Sequence, residues 1–170
     1  IGASYYVTFY LQELTDIPAG IYGSATIKSG GNQIVVIVNT TKYLTGVANA
    51  YNAVPDGSGS TKVVAPLAYN QYSPSNTTGW ATGIQVMNLG SATDTVTMTF
   101  KPTNATGTYV KTASVAVGAS TTFYLPSYTD IPAGLYGSAE VTSGSQKIIA
   151  VVNTTKYAAS VATTYLGVNQ

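Results

Sequence analysis

The chain has no cysteine, no histidine and no arginine, and only 8% of its 170 residues are charged, against about 25% in ordinary globular domains. Each absence closes off a class of chemistry. Without Cys there is no thiol nucleophile, no disulfide and no thiolate for zinc; without His there is no imidazole base or ligand. Without Arg there is no bidentate fork for phosphate or guanine. A formal net charge of +1 supplies no long-range field to attract nucleic acid or an anionic membrane surface. The longest apolar runs are about five residues, far short of the roughly 20 needed to span a bilayer. No signal peptide is visible, so a secreted protein would be present here in its mature form.

What is present is neutral and polar. The chain carries 15 Ser, 26 Thr, 10 Asn and 14 Tyr, with 45% apolar residues, enough for a sizeable core and too apolar for disorder. A surface of hydroxyls and amides repels itself weakly, which favours association.

The dominant pattern is an internal repeat. Residues 8–54 align with 122–168 at a constant offset of 114, without a gap, and 27 of the 47 positions are identical. The strongest blocks are Thr15-Asp16-Ile17-Pro18-Ala19-Gly20, Tyr22-Gly23-Ser24-Ala25 and Val38-Asn39-Thr40-Thr41-Lys42-Tyr43 with their later copies. Residues 62–116 have no earlier counterpart. The chain therefore reads as a rear half (1–54), a turn-rich linker (55–61, Pro-Asp-Gly-Ser-Gly-Ser-Thr), a front half and a second rear half, the last two forming a complete repeat over 62–170.

Strand signals run almost throughout. Val96, Met98 and Phe100 alternate with threonines, a period of two with one apolar face; 134–143, 146–155 and 160–168 predict further strands. Turn chemistry separates them at 88–91, 103–107 and 143–145, and no window of a dozen residues keeps a helical period. Short strands at this spacing predict an all-β, immunoglobulin-like β-sandwich without the Cys…Trp…Cys signature. Ile34 to Val38 and Ile148 to Val152 are apolar on both faces. Such a strand is either covered on both sides within its own domain or buried by a neighbour.

The half-repeat has consequences. Residues 1–54 predict about four strands, which make one sheet, and one sheet cannot bury its own apolar face. Exchange of halves between identical chains always leaves one rear half over. Three solutions follow: a longer repeat array, a strand borrowed from a neighbour, or packing against a second copy. The assembly candidates are Tyr5, Tyr6, Phe9 and Tyr10 of the leading strand, with Ile34, Val36, Val38, Ile148, Ala150 and Val152.

Other chemistry is thin. The six carboxylates are scattered, and Asp16 and Asp130 sit in Asp-Ile-Pro-Ala-Gly, a turn sequence rather than a glycosidase pair. No stretch is acidic enough for a calcium loop, and no cofactor motif is present; an enzyme is not expected. Asn39, Asn76, Asn104 and Asn153 match the N-glycosylation acceptor. Trp80 is a candidate for stacking on a sugar ring, although a Trp opening a strand is more often a core plug.

The string Gly79-Trp80-Ala81-Thr82-Gly83-Ile84-Gln85-Val86-Met87-Asn88-Leu89-Gly90 resembles the opening of tandem immunoglobulin-like β-sandwich repeats in bacterial secreted and cell-surface fibre or stalk proteins. So do Val117-Gly118-Ala119-Ser120 with Phe123-Tyr124-Leu125-Pro126, and Ala150-Val151-Val152-Asn153. The resemblance covers 63–168 in full and 1–54 in part. It implies a sandwich used in series on surfaces, with no catalytic residues to carry over. The expectation is thus an extracellular structural subunit whose partner is another copy or repeat, with no cofactor, nucleic acid or membrane span. The alternative is an adhesin or carbohydrate-binding module whose partners are glycans.

Overall fold

The structure, a computed structural model, describes residues 6–42, 44, 46–73 and 79–170. Eleven antiparallel strands are present among them: β1 (Ile37–Lys42), β2 (Val47–Asn52), β3 (Lys62–Asn70), β4 (Ala81–Asn88), β5 (Asp94–Pro102), β6 (Tyr109–Val115), β7 (Ser120–Tyr124), β8 (Leu135–Ser143), β9 (Ile148–Lys156), β10 (Val161–Leu166) and β11 (Val168–Asn169). From β3 onward they form a β-sandwich, with one sheet ordered β10-β9-β4-β7 and the other β11-β3-β8-β5-β6.

The alternation read from the sequence sets the faces. Val96, Met98 and Phe100 of β5, Ile84 and Val86 of β4, Val141 of β8 and Phe123 of β7 all turn inward and are buried. Leu125 and Ile131, on the connection after β7, close one side of the same core. Two buried asparagines tie the loops to it. Asn88 donates to the carbonyls of Ala92 and Val115 (2.8 and 3.0 Å) and accepts from Gly90 N. Asn70 donates to the carbonyls of Ile131 and Pro132 (2.8 and 3.0 Å). Pro66 and Leu67 interrupt the β3–β8 register between Ala65 and Ala68. A bulge tolerates a proline that cannot donate to the ladder, and the Tyr165 hydroxyl takes up both backbone groups of Leu67.

The two halves of the complete repeat are interleaved. The front half contributes β3 to β6 and the rear half β7 to β11, yet β4 lies between β9 and β7, and β8 lies between β3 and β5. Only β9 and β10 pair within the rear half. This corrects the expectation that a rear half is four strands in one sheet. Its strands belong to two sheets, and β7 and β8 have partners only in the front half.

The first rear half obeys the same rule. Of its expected strands, only the hairpin β1–β2 forms among the described residues. Its register, Ile37↔Asn52 to Lys42↔Val47, repeats Val151↔Leu166 to Lys156↔Val161 of β9–β10. The local turns recur as well. A 3-10 turn spans Leu11–Glu13 as another spans Leu125–Ser127. Ile17 N bonds Leu14 O as Ile131 N bonds Tyr128 O (both 3.1 Å). Gly20 and Gly134 share φ of +85°. Residues 6–10 and 21–36 hold no strand, because the strands that would flank them are absent. β2 runs beside β10. Asn49, its amide oriented as the neighbouring groups require, donates to the Ala162 carbonyl at 2.9 Å. The segment before β1 touches β4, where Gln85 Nε2 donates to Gly23 O (3.1 Å), and the turn before β7, where Ser24 Oγ donates to Gly118 O (2.9 Å).

Candidate functional site

The surface with most to explain is the apolar face of residues 6–38. Phe9 and Leu11 are 58% exposed, whereas their counterparts Phe123 and Leu125 are at 1% and 0%. Ile34 is 43% exposed against 0% for Ile148. Ile21, Ala25 and Ile27 are exposed where Leu135, Ala139 and Val141 are buried. The residues are the same or similar; the difference is the front half that covers one set and not the other. An uncovered apolar stretch of this extent exceeds the scatter of single apolar residues on an ordinary surface.

The covered copy is held by the front half. Main-chain groups do much of the gripping. Asn70 holds the Ile131 and Pro132 carbonyls, and Gly134 N donates to Asn70 O (2.8 Å). Asn104 donates to Gly134 O (2.9 Å) and accepts from Tyr136 N (3.1 Å). Lys111 reaches both carboxylate oxygens of Asp130 (2.5 and 2.6 Å) and lies 4.9 Å from the Tyr128 ring centroid. That ammonium holds the Asp130 carboxyl below its usual range. At the far end Asp94 accepts from Ser145 N and Gln146 N (both 2.8 Å), and these backbone donors lower its pKa. Asp16, Ile17, Pro18, Gly20 and Tyr22 repeat the gripped turn residue for residue.

The sequence-predicted residues divide accordingly. Tyr6, Phe9, Tyr10 and Ile34 are exposed, Val36 and Val38 half-buried, and Tyr5 lies outside the described residues. Ile148, Ala150 and Val152 were expected at an assembly interface, but β9 turns them into the chain's own core, at 0%, 4% and 0% exposure. The outward residues of β9, Ile149 and Val151, are half-buried. Of the glycosylation candidates, Asn39 is exposed on β1. Asn153 is half-buried in β9 and accepts from Thr164 Oγ1 (2.8 Å). The Asn104 amide is engaged as described, and Asn76 lies outside the described residues.

Trp80 is half-buried, its ring centroid 6.2 Å from that of Tyr69. With Leu67, Tyr69, Thr154, Thr163 and Tyr165 it lines a shallow groove of about 170 Å³. Burial raises the Tyr165 pKa above its usual value. Among the described residues no three acidic side chains gather as metal ligands, and no helix is long and apolar enough to cross a membrane. The polar grips and the paired glycines described below were missed by sequence reasoning; constancy of Gly23 and Gly137 across the repeat was the available signal.

No protein-family model matches the chain, and no curated protein matches it. Among solved structures, the chain is similar to a crystal structure of Thermotoga maritima 1070. The identity is 16% and the TM-score 0.55, over 66% of this chain and 97% of that one. At that identity the likeness concerns the fold.

Proposed function

We propose that the protein is a structural subunit of an extracellular filament or cell-surface assembly, built from immunoglobulin-like sandwiches and joined by β-strand complementation. The observation that carries this reading is the pair of identical sequences with opposite burial, Phe9 and Leu11 open to solvent where Phe123 and Leu125 are enclosed. An unpaired strand edge beside an uncovered apolar face is a template for another sheet. A head-to-tail contact that does not close extends into a filament. The weakly charged surface suits dense packing of copies.

The test is electron microscopy and light scattering on the intact chain and on Ile34→Lys. Ile34 lies outside the 62–170 core, so the variant keeps that domain folded. Regular polymers from the unaltered chain that vanish in the variant support the reading; a stable 17.5 kDa monomer at high concentration overturns it.

The Trp80 groove supports a second reading as a carbohydrate-binding module, through its aromatic lining. Its volume is below the roughly 300 Å³ at which ligand pockets begin, which places this reading behind the first. Glycan-array binding lost in Trp80→Ala would reverse the order.

A further inference from the structure

We infer that the uncovered face of residues 8–54 is a second docking surface for the chain's own front half, residues 62–116. The front half can then be held by 117–170, as observed, or by 8–54 in the same register, with the order of the halves along the chain reversed. This does not depend on polymer formation.

Two glycines point to that occupant. A Cβ on Gly137 would lie 2.1 Å from the Lys101 carbonyl oxygen, and one on Gly144 would lie 2.7 Å from Asp94 Oδ1. Both contacts are made by the front half; the one at Gly137 is with backbone and cannot yield, while the one at Gly144 is with the end of a side chain. Their counterparts Gly23 and Gly30 have nothing within 4 Å of that position, and neither has positive φ. Where they now lie, the absence of a side chain makes room for no neighbour, and neither backbone conformation demands glycine. Against the Lys101 backbone of a docked front half, glycine at position 23 is required, and against Asp94 glycine at position 30 is favoured.

The chain's own front half is within reach. Val168 pairs with Val64, Asn169 with Val63, and Gln170 N bonds Lys62 O (3.0 Å), so the rear half ends where the front half begins. Asp56 is the counterpart of Gln170. Only residues 57–61, a Gly/Ser-rich stretch, separate it from Lys62, and docking within the chain needs no span longer than that loop. A tether so short favours the intramolecular partner over a second copy.

One substitution bears directly on which rear half is occupied. Gly167 packs where a Cβ would come 2.4 Å from Val63 Cγ1, and its counterpart is Ala53. The first rear half would therefore meet Val63 with a methyl group, which favours the second. Exchanging the two residues should move the balance.

The absence of cysteine allows a disulfide test in the full chain. Thr99 and Glu140 are cross-strand partners in the observed arrangement, and Thr26 is the counterpart of Glu140. Thr99→Cys/Glu140→Cys should cross-link nearly completely on oxidation. Thr26→Cys/Thr99→Cys should cross-link within monomers as a minor fraction. Its ratio to the unlinked monomer should rise about thirtyfold or more on adding Ala53→Gly and Gly167→Ala, the change expected from relieving one overpacked methyl and creating another. Ala53→Gly alone, which leaves the observed core untouched, should raise it in the same direction. Absence of the 26–99 disulfide from every background while 99–140 forms, or its appearance only between two chains, overturns the inference. Polymers without the monomeric 26–99 disulfide would sink this inference alone; the disulfide without polymers would sink the proposed function alone.

Discussion

Truncating one phenylalanine of the repeat should strongly destabilise the protein's core, and truncating its twin should not. Phe123 is 1% exposed between the sheets and Phe9 is 58% exposed. A phenylalanine buries roughly 150–250 Å², worth about 4–6 kcal/mol at 25 cal/mol per Å². Measured Phe→Ala losses in cores are about 3–5 kcal/mol, cavity included. For Phe9→Ala, more than half of that area is already in water, and surface substitutions stay within about 0.5 kcal/mol. Trp80 is the only tryptophan and lies beside the core at Tyr69, so its fluorescence reports urea unfolding directly. With a slope near 1.5 kcal/mol per M, Phe123→Ala should lower the midpoint by about 2 M or more, and Phe9→Ala should leave it in place. If the front half changes partners to evade the first substitution, the double variant recovers the full loss. A loss above about 1.5 kcal/mol for Phe9→Ala alone would refute the assignment of residues 6–36 as uncovered. A loss below about 2 kcal/mol for the double variant would refute the core.

Three further outcomes follow from the same contacts. Gly137→Ala should destabilise the fold severely, because the Lys101 backbone that its Cβ meets at 2.1 Å cannot yield as a flexible side chain would, whereas Gly23→Ala should be neutral in the free chain; thermal melts of both check this. Backbone donors lower the Asp94 pKa, so its contribution is fully present above the unfolded value near 3.9 and is lost as pH falls through the folded one. Asp94→Asn should flatten the acid limb of a stability-versus-pH curve. Lys111→Met should raise the Asp130 pKa toward the ordinary carboxylate range, since the ammonium is what holds it down; titration by carboxyl NMR reads this directly.

Much of the fold was legible in the chain. The alternation over 95–100 placed Val96, Met98 and Phe100 in the core, and the turns at 88–91, 103–107 and 143–145 lie where their residues predict. The prediction failed at 148–152. There the two-sided apolar run fits an interface as well as a central strand, and residue pattern alone does not separate them. The interleaving was also invisible, because which strand lies between which others is a matter of long-range pairing.

The repeat separates the two kinds of information. Residues 8–54 and 122–168 carry nearly the same instructions, and both fold the same hairpin register, the same 3-10 turn and the same glycine turn at φ of +85°. Those features need only neighbours in sequence, and the sequence determined them. Whether residues 21–29 become a strand like β8 was decided by tertiary structure alone. A strand whose two hydrogen-bonding partners both lie in another half has nothing to pair with until that half is bound, and its apolar side chains stay in water until a second sheet covers them.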